Sequence, residues 1–241
     1  MSEPQMPIES HLKELRTRLF WLVALYLPVA ALFFTHVTWL IGLLLLPAHG
    51  HITHLVYLSV TEAFFAYIKV SLAAAFVVTS PFLLYQLANF VLPGLHDNER
   101  QVVTTYVPVV VLLFLVGLAF GFFIFLPLVI RFLFAFSGPE LVPMISLGQY
   151  INFVIGLTLP FGIIFEFPVI IYGLARAGLV QPAWLRRNRR YAILVIFVIA
   201  AAFAPPDALS MLVMASPMLL LYEVGMWLAE IAVRRRDRDL H

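Results

Sequence analysis

The side chains able to do chemistry in this chain are few, and most stand among apolar neighbours. Four carboxylates draw attention. Glu14 lies in His11-Leu12-Lys13-Glu14-Leu15-Arg16-Thr17-Arg18-Leu19, and Glu99 follows Pro93-Gly94-Leu95-His96-Asp97-Asn98. Glu166 lies in Phe165-Glu166-Phe167-Pro168, and Asp207 follows Pro205-Pro206. A carboxylate accepts guanidinium forks, holds cations or carries a proton, so ion recognition and proton transfer are the chemistries to weigh. The seven histidines, at 11, 36, 49, 51, 54, 96 and 241, fall in polar loops or at the ends of apolar runs. His49, His51 and His54 have a spacing that could hold a metal, but three histidines in a polar loop are more often solvated, and no metal or other cofactor is expected. The chain has no cysteine, which excludes disulfides, thiolate metal sites and cysteine nucleophiles. It also lacks the phosphate-binding Gly-x4-Gly-Lys-Ser/Thr loop, the His-Glu-x-x-His zinc helix and the Gly-x-Ser-x-Gly elbow, so it does not read as an enzyme. An intramembrane serine protease would need a histidine inside a span, and an aspartyl protease would need two facing aspartates where only Asp207 is available.

These residues must be positioned by membrane helices. Of 241 residues 63% are apolar and 12% charged, against about 25% charged in a soluble domain, and mean hydropathy is +0.99. An all-α integral membrane protein is expected, with six transmembrane helices near 19–46, 63–92, 102–136, 150–175, 191–204 and 208–233 in a single domain. The stretch before the first run is charged and carries no cleavage pattern, so that run is expected to be a retained span. Leu12, Leu15 and Leu19 form an apolar stripe, and Glu14 and Arg18 stand one turn apart away from it, which makes residues 1–18 an amphipathic surface helix leading into span one.

Thirteen of the fifteen Lys and Arg residues, all but Lys69 and Arg131, fall on one side of this layout. The positive-inside rule makes that side the cytoplasm and places both termini there, as an even number of spans requires. The connections 47–62 and 137–149 then form an outer cap. The fifth run ends at Pro205-Pro206-Asp207; its fourteen residues give only ~21 Å of helix against a hydrocarbon core of about 30 Å, so the bilayer there should be thin. Glu166 is ~24 Å from one end of its run and ~15 Å from the other. An ionisable group at that depth costs on the order of a few kcal/mol and is a functional candidate by default. Gly156, Pro160, Gly162 and Pro168 around it predict a bent helix.

With these motifs in order the chain resembles the TatC family, the multispanning receptor subunit of the twin-arginine protein translocase, over essentially its whole length. The resemblance rests on His11-Leu-x-Glu14-Leu-Arg16-x-Arg18, Tyr85-Gln86 through Phe90, Pro93-Gly94-Leu95 with Glu99-Arg100, Phe165-Glu166-Phe167-Pro168, the basic run ending at Tyr191, and Pro205-Pro206-Asp207. Members often carry Trp where this chain has Ala88, Thr where it has Ala204 and a polar residue where it has Met211. The resemblance implies a six-helix, glove-like fold in a bacterial or archaeal cytoplasmic membrane. It implies recognition of twin-arginine signal peptides on folded cargo by Glu14, Glu99, Phe90 and Arg16. It further implies contacts to single-span TatA-type or TatB-type subunits through Glu166, Asp207 and Met211, and assembly with other copies of itself, with no role for nucleic acid. The competing reading is a secondary transporter that uses Glu166 as a proton or ion site, although such proteins usually show repeated halves with several intramembrane polar groups.

Overall fold

The computed structural model describes residues 8–50, 52, 54–91, 97–136, 144–204 and 207–239, with backbone alone for 8–12, 88–91, 97–106 and 235–239. The described residues are overwhelmingly helical: α1 (Ile8–Thr35), α2 (Val37–Leu45), α3 (Glu62–Val91), α4 (Asp97–Phe120), α5 (Leu126–Phe134), α6 (Leu147–Arg176), α7 (Pro182–Arg187), α8 (Arg189–Phe203) and α9 (Ala208–Asp239). Among the described residues five stretches are long and apolar enough to cross a membrane: Lys13–Thr35, Glu62–Leu87, Val107–Phe134, Leu147–Arg176 and Ala208–Arg234. The apolar helix α8 is shorter, at 15 residues or ~22 Å.

The chain forms two compact units, residues 1–44 with 57–111, and 45–56 with 112–241. In the first, α1 packs along α3, and the Tyr26 hydroxyl donates to the Leu72 carbonyl at 2.9 Å. The apolar run read as one span over 19–46 is broken at His36 into α1 and α2. Thr35 Oγ1 donates to the Leu32 carbonyl at 2.7 Å, and His36 Nδ1 approaches both Thr35 Oγ1 and that carbonyl. Local side chains thus occupy the carbonyl that would continue the helical ladder, and the His36 amide turns to Phe33 instead.

The second unit is built around α6. Ser146 caps its start, with Oγ accepting from the Gln149 amide, the Ser-x-x-Gln spacing of a helix N-terminus. Its end closes through Gly178, whose positive φ lets the amides of Gly178 and Leu179 reach the carbonyls of Ala175 and Leu174. Ahead of α6, Val56 pairs with Ser146 in a short parallel bridge, so the segment ending at Val56 lies beside residues 145–147 within this unit. The rest of 137–149 lies outside the described residues.

Between these ends α6 runs through Pro160 and Pro168 and packs against α9 and the Gly121–Phe125 turn, with Phe114, Gly117 and Leu118 of α4 close beside Phe161 and Gly162. A wider, π-type turn at Gly121–Phe125 separates α4 from α5. The extra residue shifts the helix phase, and Phe125, Leu126, Val129 and Ile130 become buried, with the Phe125 ring 4.6 Å from that of Phe161. Helix approach here depends on small residues. A Cβ on Gly117 would meet the Phe161 carbonyl oxygen at 2.4 Å, and one on Gly162 would meet the Phe114 ring at 2.8 Å.

Two outcomes are expected from this packing. Gly117→Ala should destabilise the second unit by about 1–3 kcal/mol, because the obstacle is backbone that cannot rotate away. Gly156→Ala, where a Cβ meets nothing within 4 Å, should be close to neutral, and thermal melts of both variants in detergent compare them. Spin labels along residues 191–204 should report a bilayer locally thinner than about 30 Å; depth profiles matching a full-thickness core would exclude thinning at α8.

Candidate functional site

In the first unit the N-terminal motif and the Tyr85-Gln86 segment meet through one arginine. Successive turns of α1 place Glu14 and Arg18 on one face, and Arg18 Nε donates to Glu14 Oε1 at 3.0 Å, with a second contact from its terminal nitrogen to the same oxygen. Arg18 also donates to Gln86 Oε1 at 2.9 Å, across to α3. Both partners of the ion pair are partly buried, with side-chain exposure of 22% for Arg18 and 27% for Glu14. Both of these contacts between Arg18 and Glu14 fall on Oε1. Arg16 and Tyr85 are exposed. Phe90 is in the last turn of α3 and Glu99 in the first turn of α4, where the helix dipole favours a carboxylate; their side chains lie outside the described residues.

The second unit holds the intramembrane carboxyl. Glu166 is 7% exposed, and neither of its oxygens meets a hydrogen-bond partner among the described residues. It lies beside the Phe114 backbone and one turn beyond Gly162, the glycine that admits the Phe114 ring. Prolines and glycines around it do not interrupt α6. A second polar group of this kind is Thr158, two turns earlier on α6, whose buried Oγ1 is likewise unpartnered.

Asp207 has a local task that its position after two prolines only half announces. Its Oδ1 accepts from the Ser210 amide at 2.6 Å, so it is the N-cap of α9. Its Oδ2 and the Ser210 hydroxyl are buried without partners among the described residues. Met211 is half-buried in the next turn. Pro205 and Pro206 are outside the described residues. Of the loop histidines, His49 and His54 are exposed and His51 is not described.

Sequence reasoning did not separate the arginines that hold the fold from those that do not. Arg186 pairs with Glu230 and Arg189 with Glu223, tying α7 and α8 to α9, and the buried Tyr222 hydroxyl donates to the Leu185 carbonyl at 3.0 Å. The signal was available in the spacing: the two carboxylates are seven residues apart on α9, so they share a face, and the two arginines are three apart.

The family described as Sec-independent protein translocase protein (TatC) matches residues 10–217. The Sec-independent protein translocase protein TatC of Carboxydothermus hydrogenoformans is 37% identical, covering 95% of each chain. That of Aquifex aeolicus is also 37% identical, over 96% of this chain and 98% of its own, and TatCy of Bacillus subtilis is 36% identical over 99% and 94%. The crystal structure of the twin arginine translocase receptor TatC superposes with a TM-score of 0.81 at 37% identity, covering 92% of this chain and 99% of that one. Sequence, helix order and backbone agree along nearly the whole chain, which belongs to the TatC family of Sec-independent protein translocases.

Proposed function

We propose that this chain is the receptor subunit of a twin-arginine translocase in a cytoplasmic membrane, with both termini in the cytoplasm. It binds twin-arginine signal peptides of folded cargo there and recruits single-span TatA-type and TatB-type subunits within the bilayer. The observation that carries the peptide-binding half is the state of Glu14. It is partly buried and held by Arg18, which Gln86 fixes in turn, and one carboxylate oxygen carries both arginine contacts. Such a carboxylate is preorganised to take a further guanidinium on Oε2 without first ordering its own side chain.

The basic residues near the helix ends would repel a twin-arginine peptide at long range, so recognition has to be local. Glu14 and Glu99, on adjacent segments of the motif pattern, each take one guanidinium in a charge-assisted pair, Glu99 through both oxygens and Glu14 through Oε2 alone, with a planar fork of donors that lysine cannot copy. Arg16 flanks this site, and Phe90 supplies an apolar contact for the residues after the arginine pair.

For partner recruitment the supporting observation is the unsatisfied Glu166 carboxyl. A buried polar group without a partner is costly, and a polar side chain from an incoming helix would relieve that cost with a bond worth roughly 1–2 kcal/mol in a membrane. Met211 and Asp207, whose Oδ2 has no partner among the described residues, add a second contact at the start of α9, Asp207 keeping its capping role meanwhile.

Glu14→Gln or Glu99→Gln should each weaken binding of a twin-arginine peptide by well over tenfold, the loss of one partner of a partly buried pair being worth about 2–5 kcal/mol. Cross-linking to the purified protein, with a twin-lysine peptide as control, measures this; unchanged affinity of the double variant at low salt would refute the assignment. Glu166→Ala should impair partner recruitment and transport while peptide binding stays nearly intact. The reverse pattern would show that the two roles belong to the opposite carboxylates.

A further inference from the structure

A groove of about 620 Å³ opens in the second unit between α6, α7, α8 and α9. Its length follows α8 from Asn188 to Phe203, fifteen steps or ~22 Å, and its walls are aliphatic and aromatic, among them Ile163, Phe167, Val195 and Ile199. Polar character is gathered at the α7 end, where Trp184, Asn188 and Tyr191 form the rim. Trp184 and Tyr191 are both exposed, the pairing of apolar body and polar tip that favours the headgroup level of a bilayer. The rim is held firmly, since α7 and α8 are fixed to α9 by Arg186, Arg189 and the Tyr222 hydroxyl.

The basic run at this rim divides into two pairs. Arg186 and Arg189 are taken by Glu230 and Glu223. Arg187 and Arg190 meet no carboxylate among the described residues, and both are exposed. Arg190 is drawn to the groove mouth by Tyr191: its guanidinium lies 4.9 Å from the ring centroid and donates to the hydroxyl at 3.2 Å. An apolar channel with Arg190 held beside its mouth through Tyr191, and with Arg187 three residues earlier in the same basic run, calls for an amphiphile with an anionic head.

The dimensions favour a lipid tail over a protein segment. A helix with side chains, about 10–12 Å across, fills roughly 400–600 Å³ per turn, so the groove could enclose no more than about one and a half turns of one. An acyl chain of one leaflet spans about half of a ~30 Å hydrocarbon core, which the groove's length accommodates. We propose that the groove binds one anionic phospholipid, with an acyl chain along α8 and its phosphate at Arg187 and Arg190. This rests on the membrane-spanning fold and stands apart from the roles assigned to Glu14, Glu99 and Glu166.

The test uses the full chain in phosphatidylcholine nanodiscs with Trp21, Trp39 and Trp227 replaced by Phe, so that Trp184 alone reports. Titration with dibrominated phosphatidylglycerol should quench Trp184 at one third or less of the concentration that dibrominated phosphatidylcholine requires. Arg187→Gln with Arg190→Gln should bring the two lipids together, and Ala192→Phe, which fills the groove wall, should weaken quenching by both. If the glutamine pair folds poorly by gel filtration and melting, Arg187→Lys with Arg190→Lys is read instead and should retain part of the preference. Equal quenching by the two lipids in the parent, a preference that survives the glutamine pair, or quenching untouched by Ala192→Phe would each overturn the proposal. So would an absence of quenching by either lipid together with cross-linking of position 195 to a second copy, which would make the occupant a protein helix.

Discussion

In hydrocarbon, burying one apolar side chain against another gains little, because lipid tails are as apolar as leucine, and helices hold together where their backbones can come close. The second unit meets this requirement with glycine. Gly117 and Gly121 on the α4 side, Gly162 on α6 and Gly225 on α9 are all sites where a Cβ would press on a neighbouring residue at 3.0 Å or less. The aromatic cluster of Phe120, Phe125, Phe161 and Phe165 fills the space around those approaches, with ring centroids 4.6 to 5.3 Å apart. The state of Glu166 follows from the same constraint. One turn from Gly162, its carboxyl is enclosed because the helices on either side are drawn in, and it cannot reach out to a lipid headgroup from the middle of α6.

Charge is organised by a second rule, that an arginine beside a carboxylate at helical spacing becomes part of the scaffold. Arg18 is such a residue, joining Glu14 within α1 and reaching Gln86 on α3. Arg186 and Arg189 do the same for the short segment before α8. That segment needs them: α7 has six residues, and α8, at fifteen, is too short to gain much from its own length. What holds it in place is α9, through two ion pairs and the Tyr222 hydroxyl, so a helix too short for an ordinary bilayer is fixed by polar contacts at its end and not by the lipid around it.

The helical, multispanning architecture and the family were legible in the sequence because apolar runs and ordered motifs are properties of the chain itself. Details that arise from competition between groups were not. The run 19–46 looks unbroken by composition, yet Thr35 and His36 turn their side chains onto the Leu32 carbonyl and split it. The run 102–136 gives no hint of the wider turn at Gly121–Phe125, which is dictated by how α6 receives Phe125. Within the candidate sites, the Glu14–Arg18 pair could be read from its four-residue spacing, whereas Gln86 as the third member lies 68 residues away and follows only from the packing of α1 on α3. Asp207, placed by resemblance among partner contacts, also caps α9, a reading its position before Ala208-Leu209-Ser210 allows once the helix start is known.

Glu14 and Glu166 differ in a way that bears on how one chain can serve two kinds of contact. Glu14 is partly wet and already shares a charge with Arg18, so a polar group that approached it would exchange for water at modest cost. Glu166 is buried, with the Phe114 backbone as the polar group beside it and no side chain sharing its charge among the described residues, and in that setting the geometry of a neighbouring polar group matters more than its charge. The first environment therefore suits a charged group and the second a neutral group that can hydrogen-bond. Exchanging the two environments would change both, since a solvated Glu166 would bond to water and a dehydrated Glu14 would bind Arg18 more strongly.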